Sequence, residues 1–120
     1  TYYFNPSAAT VAFILNHKNE LLVCRRGKDP AKGTLDLPGG FIDMAETGEQ
    51  GVTREVFEET GLTVTETHYL FSLPNTYLYS GFLVHTLDLF YKCNVINPDN
   101  FGLDSVRTGV IRFLNETEKL

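Results

Sequence analysis

The sequence predicts an α/β fold in which helices cover a mixed sheet. Three observations carry that expectation. Apolar, β-prone runs occupy 8–16, 20–26, 62–73 and 82–95. A helix with signals at both ends stands among them, over 47–60. The tail from Asp104 repeats apolar residues at helical spacing, with Val106, Val110, Phe113 and Leu114 directed inward.

In order along the chain, 8–16 and 20–26 flank His17-Lys18-Asn19 and read as a β-hairpin with a short polar turn. Residues 27–40 are rich in Gly, Pro, Lys and Asp and read as a surface loop. A short strand is expected over 41–43. Thr47-Gly48-Glu49-Gln50 matches a capping box, with Gln50 reaching back to the N-cap Thr47. Val52 and Val56 share one face of that helix, and Gly61 supplies its stop. Residues 62–73 read as one or two strands, 74–81 as a loop and 82–95 as a long strand.

With 120 residues, the chain fits one domain. Hydrophobic residues make up 42%, including nine Phe and six Tyr, enough for a core without metal or disulfide staples. Cys24 and Cys93 lie far apart in apolar runs and are expected to be reduced core thiols. The net charge of −5 argues against long nucleic acid as a partner. Small phosphorylated ligands stay open, since a local basic patch or a metal serves them. No apolar run reaches the length of a membrane span and no signal peptide is visible, so a cytoplasmic protein is expected. The start at Thr1 raises the expectation of a missing upstream segment.

Six of the fifteen acids fall within 43–59: Asp43, Glu46, Glu49, Glu55, Glu58 and Glu59. Arg54 is the one base among them. On a helix, Glu55, Glu58 and Glu59 are surface neighbours, and like charges so placed destabilise it by roughly 0.2–0.5 kcal/mol per pair. A solvated acidic face would account for such a cluster on an arbitrary helix. A hard divalent cation, Mg²⁺ or Mn²⁺, also suits it, through carboxylate and phosphate oxygens. The ridge is expected opposite Val52 and Val56, facing outward. Gly39 and Gly40 just before it let backbone approach a metal or phosphate.

From Gly40, the chain reads Gly, five residues, Glu46, seven residues, then Arg54-Glu55-Val56-Phe57-Glu58-Glu59-Thr60-Gly61-Leu62. This resembles the Nudix hydrolase box at every defining position. The preceding Leu-Pro-Gly-Gly-Phe-Ile, Arg25-Arg26 and the closing helix are also similar to members of that family. The resemblance implies a Nudix-type α/β/α sandwich around a mixed sheet. It further implies metal-dependent hydrolysis of the pyrophosphate bond in a nucleoside diphosphate linked to another moiety.

Carried over by position, the resemblance implies Glu58 and Glu59 as metal ligands, helped by the Gly39 carbonyl. Glu55 matches either a ligand or the water-activating base. Arg54 matches a residue that orients carboxylates through Glu46. Arg25 and Arg26 stand at a strand end that the family places near the site, and are expected to neutralise substrate phosphate.

Tyr3-Phe4-Asn5-Pro6 resembles the branch of NADH pyrophosphatases and ADP-ribose-type hydrolases. Ser72-Leu73-Pro74-Asn75-Thr76-Tyr77 faintly resembles the NADH-type motif, without its Trp and later prolines. Tyr77, Tyr79 and Phe82 are placed to stack on a nucleotide ring or to pack at a sheet end or dimer contact. A dinucleotide or ADP-ribose-like substrate is therefore expected. A nucleoside triphosphate pyrophosphohydrolase and a non-catalytic nucleotide sensor are the alternatives. A homodimer is the assembly kept in view. The interval from Val95 to Asp104 is shorter than the family's, which raises a missing loop near 95–96. His68, His85 and Asp88 read as structural or exposed sheet-face residues.

Overall fold

The computed structural model describes residues 5–17, 19–25, 35–96 and 111–114. Its elements are β1 (Ser7–Phe13), β2 (Leu21–Arg25), β3 (Leu35–Asp36), β4 (Gly39–Phe41), α1 (Gly48–Thr60), β5 (Val64–Tyr79), β6 (Phe82–Val95) and β7 (Ile111–Leu114). They form a four-stranded sheet, ordered β4-β1-β6-β5, and a three-stranded sheet, ordered β3-β2-β7. The larger sheet is mixed. β1 runs parallel to β6, while β4 and β5 are antiparallel to their neighbours.

The helix forms where its local signals place it. Thr47 has extended backbone, and its hydroxyl accepts the Gln50 N–H at 3.1 Å. The Gln50 side chain accepts the Thr47 N–H at 2.9 Å, which completes the capping box. Gly61 ends the helix at φ 76°, and its N–H donates to the Phe57 carbonyl.

Val52 and Val56 point into a core with Ala12, Ile14, Leu22, Leu62, Tyr91 and Cys93. Burying each valine stabilises the fold by about 1.5–3 kcal/mol. Leu89 also packs on this core, so alternation places Thr86, Asp88 and Phe90 on the far face of β6. Phe90 stacks there between Phe13 and Phe71, at centroid distances of 5.8 and 4.6 Å. Cys93 is free and buried, and burial pushes its thiol up to about 11.

Four sequence expectations need correction. The hairpin of 8–16 with 20–26 exists only at its tip. Asn16 and Glu20 close the turn, Leu15 bridges Leu21, and the Leu22 N–H donates to the Ile14 carbonyl. Beyond that, β1 and β2 diverge into different sheets. The short strand lies at Gly39–Phe41, two residues before 41–43, because the glycines themselves pair with Thr10 and Val11.

The expected loop at 74–81 is almost wholly strand. β5 continues to Tyr79, and Ser80 (φ 50°) with Gly81 (φ 81°) makes a two-residue turn of the type that favours hairpins. Pro74 fits because β5 is an edge strand, where no N–H is needed on the outer side. The tail is the fourth correction. Phe113 and Leu114 lie in β7, antiparallel to β2, rather than in a helix. The open edge of β2 and the β-prone Ile-Arg-Phe-Leu run outweigh a helical pattern only a few residues long. Val106 and Val110 lie outside the described residues, so the layer of the implied sandwich beyond them is not part of the described fold. β6 runs to Val95, and the Ile96 N–H donates to the Thr63 carbonyl.

Candidate active site

The candidate site is built by β4, the loop after it and α1. That loop turns on Ala45, at φ 62°, and on Glu46. Glu46 Oε1 accepts the Asp43 N–H at 2.9 Å, and the Glu46 N–H returns to the Asp43 carbonyl at 3.2 Å. Arg54 then reaches back from the helix. Its Nε donates to Glu46 Oε2 at 2.9 Å and its Nη2 to Glu46 Oε1 at 3.0 Å. Nη2 also donates to the Phe41 carbonyl at 3.0 Å, and Nη1 to Glu55 Oε1 at 2.8 Å. Glu58 receives longer bonds from Nη1, at 3.2 and 3.3 Å, and Asp43 lies 3.4 Å from Nε.

One guanidinium thus touches four of the six acids. These bonds pull the Glu46 carboxyl down to about 2, chiefly through Arg54 and next through the Asp43 N–H. The same partners, led by Glu46 and Glu55, raise Arg54 further above its ordinary range.

The expected outward ridge is only partly outward. The Glu58 side chain is 55% exposed, but that of Glu55 is only 16% exposed. Glu55 turns over Gly40, where an added Cβ would stand 2.6 Å from its carboxyl group. The missing side chain of Gly40 is therefore the space that Glu55 fills. Glu59 takes a half-buried place beside it and accepts the Gly39 N–H. Burial, then the negative charge of Glu55, pushes the Glu59 carboxyl up to about 8. The charge of Asp36 adds to that rise, against the Gly39 N–H.

Two half-buried carboxyl groups side by side form an oxygen-rich place whose electrostatics call for a cation. Among the described residues, no three acidic, His or Cys side chains already converge as a ready metal cage. Arg54 holds Glu55 and Glu58 instead. The donor set of Glu55, Glu58 and Glu59 still fits a hard divalent ion. It is all oxygen, it lies on neighbouring turns, and burial followed by the charge of Glu55 raises the Glu59 carboxyl, a rise that a cation would offset.

The NUDIX domain model matches residues 5–100. The chain belongs to the Nudix family. An ADP-ribose pyrophosphatase of Methanocaldococcus jannaschii is 45% identical over 60 residues, covering 50% of this chain and 35% of that protein. The 8-oxo-dGTP diphosphatase of Escherichia coli is 46% identical over 54 residues, 44% of this chain and 42% of that one. A NAD-capped RNA hydrolase NudC of Haemophilus influenzae is 39% identical over 74 residues, 62% of this chain and 28% of that one. The matched segments span less than half the length of these relatives. Two solved structures share the Nudix fold. The NUDIX domain of Shewanella oneidensis NrtR, complexed with ADP ribose, aligns at TM-score 0.71 and 20% identity, over 93% of this chain and 74% of that one. A MutT protein from Methanosarcina mazei aligns at 0.69 and 23%, over 95% and 80%.

The other expected site residues lie outside the Nudix box in sequence. Arg25 ends β2, opposite Leu35 in the smaller sheet. Arg26 lies outside the described residues. Tyr77 is on β5, and its hydroxyl donates to Asp88 Oδ2 at 3.1 Å. Burial first, then Asp88, raises the phenol above its ordinary range, and Asp36 adds to the rise. His68 and His85 are exposed on the sheet, and Asp88 is buried in it. Among the described residues no helix is long and apolar enough to cross a membrane. The sequence reading passed over Asp36 and Asn75. A signal for Asp36 lay in its place two residues before Pro38-Gly39-Gly40.

Proposed function

We propose that this chain hydrolyses the pyrophosphate bond of a nucleoside diphosphate linked to another moiety, in a dinucleotide or an ADP-ribose-like compound. The observation that carries the reading is the half-buried Glu55–Glu59 pair beside Gly39 and Gly40, on a helix that also presents Glu58. In this reading Glu55, Glu58, Glu59 and the Gly39 carbonyl would hold Mg²⁺ or Mn²⁺. Such ions, when bound, neutralise phosphate oxygens and make water a nucleophile near neutral pH.

The chain's own residues do the rest. Arg54 fixes the directions of Glu46, Glu55 and Glu58 through its hydrogen bonds. Glu55 stands in the cover of Gly40, placed as a ligand or as the acceptor of the water's proton. Arg25 and Arg26 would meet the substrate's phosphate charge.

The similarity to an ADP-ribose pyrophosphatase and to NudC supports a diphosphate-linked substrate. A second reading, pyrophosphohydrolysis of a nucleoside triphosphate, draws on the similarity to the 8-oxo-dGTP diphosphatase. Incubation with a nucleotide panel and Mg²⁺ separates the two. AMP released from NADH or ADP-ribose supports the first, and inorganic pyrophosphate released from a triphosphate supports the second. Binding with no product from any member of the panel would make the chain a sensor and overturn both.

A further inference from the structure

β5 and β6 run on past the rest of their sheet. β1 pairs with β6 only from Thr86 to Lys92, and β5 is the edge strand. Among the described residues, 76–79 and 82–85 therefore pair only with each other. A two-stranded arm is marginally stable in water unless something packs on it. This arm is also apolar on its surface. Leu78 is 73% exposed, Phe82 75% and Leu83 62%, and Leu73, Tyr77 and Leu87 nearer its base are exposed as well.

Leu78 stands opposite Leu83 across the hairpin, and Pro74 opposite Leu87. Alternation along β6 puts these four on the side of the sheet that carries α1. The helix begins against Tyr91 and Leu89, short of them. From Tyr69 to Tyr91 the chain has a single residue of the Asp, Glu, Lys and Arg types, against 21% in the whole sequence. That residue, Asp88, is 3% exposed, so the arm presents no fixed charge to solvent. Loss of charge together with exposed Tyr and Phe is the composition of an interface centre rather than of a free surface.

The observations select a second copy of this chain as the occupant. A charge-free apolar face is complementary to itself, as a two-fold contact requires. Its six exposed residues offer on the order of 700 Å², near the roughly 800 Å² that each partner gives a stable interface. No Lys or Arg lies between Arg54 and Lys92 and the net charge is −5, so an anionic membrane would repel the arm. Pairing strand to strand is also disfavoured: Pro74 has no N–H, and Asn75 Oδ1 already accepts the Thr76 N–H at 2.8 Å. The contact is thus made by side chains on the faces of the arms.

We infer that 73–87 is the contact surface of a homodimer, arm against arm about a two-fold axis, with Leu78 and Leu83 at its centre. This surface stands apart from the proposed hydrolysis and survives if that reading fails.

Sedimentation equilibrium of the full chain, from about 1 to 100 μM, tests it. The wild type is expected to reach the mass of a dimer within that range. Leu78→Glu and Leu83→Glu are each expected to raise the dissociation constant by about tenfold or more. Circular dichroism and melting are expected to stay native, because both side chains are exposed. If a glutamate variant fails to fold, Leu78→Ser and Leu83→Ser decide. A wild type that stays monomeric throughout overturns the inference, as does a dimer that all of the folded variants leave equally tight. A monomer that floats with phosphatidylcholine vesicles would assign the arm to lipid and overturn it too.

Discussion

Arg54 grips Glu46 as a two-pronged fork, Nε to Oε2 at 2.9 Å and Nη2 to Oε1 at 3.0 Å. The fork ties the loop after β4 to the second turn of α1. Glu46 passes the constraint on, because the same Oε1 accepts the Asp43 N–H. A planar guanidinium meets this geometry and an ammonium does not. The loop's shape therefore depends on two side chains eight residues apart.

That fork predicts an acid-dependent loss of stability. The Glu46 carboxyl is held near about 2, below its ordinary 4.5, so the ionised form favours the folded state. Its contribution is complete above about pH 4.5 and is lost as pH falls toward 2. Glu46→Gln is expected to melt below the wild type at pH 7, with the gap closing in melts taken between pH 5 and 2.5. A gap that stays constant over that range would assign it to packing.

Glu59 predicts the opposite slope. Its carboxyl is raised to about 8, so the folded protein keeps a proton that the unfolded chain loses near 4.5. In EDTA, Tm is expected to fall as pH rises from about 5 to 8. Mg²⁺ displaces that proton, so the Mg²⁺-induced rise in Tm is expected to grow over the same range. Glu59→Gln should flatten both trends. Equal slopes in variant and wild type would locate the titration elsewhere.

Glu58→Gln and Glu59→Gln are each expected to lower turnover by about a hundredfold or more while circular dichroism stays native. The reason is lost charge at a metal ligand. Steady-state rates of nucleotide hydrolysis in Mg²⁺ check it, and near-wild-type rates in both variants would remove the assigned roles.

The two glycines of β4 are expected to respond differently to alanine. A Cβ on Gly39 would stand 2.0 Å from the Thr10 carbonyl oxygen, at φ 154°, where backbone must yield. Gly39→Ala is expected to destabilise the fold by about 3 kcal/mol or more. A Cβ on Gly40 meets the end of the Glu55 side chain, which can swing away. Gly40→Ala should therefore cost activity by about tenfold or more and little stability. Urea melts beside rate measurements separate the two; a larger stability loss for Gly40→Ala would contradict the geometry.

Gly48, the first residue of α1, lies against Tyr91. An added Cβ would fall 2.0 Å from the Tyr91 hydroxyl and 3.1 Å from Cζ. Gly48→Ala is expected to cost about 1–3 kcal/mol. The cost should shrink in a Tyr91→Phe background, because the nearer clash goes with the hydroxyl. A double-mutant cycle gives the coupling, and strict additivity would refute the contact.

The local devices were legible in the residues. Thr47, Gln50 and Gly61 announce the helix because caps act within one turn, and the glutamate spacing announces the ridge because helical periodicity is fixed. What depends on distant chain was not. Pro74-Asn75-Thr76 carries turn residues, yet pairing with Thr86 and Leu87 keeps β5 extended. Phe113 and Leu114 could have faced a core from a helix, but the edge of β2 claims them. The inward turn of Glu55 depends on Gly40 across the loop, and the burial of Asp88 on donors from another strand. Neither relation has a period to read.

β1 emerges from a ribosome well before β6, its parallel partner. Ser7 waits for Thr86, and Phe13 for Lys92. β5 and β6 can zip together as soon as both exist, but the parallel slot beside β6 must then capture a strand from far upstream. Translation stalled before β6 leaves β1 with β4 alone at its side. Such a nascent chain carries Ala12 and Ile14 uncovered by Tyr91 and Cys93, and that apolar surface stays open to association until the sheet closes.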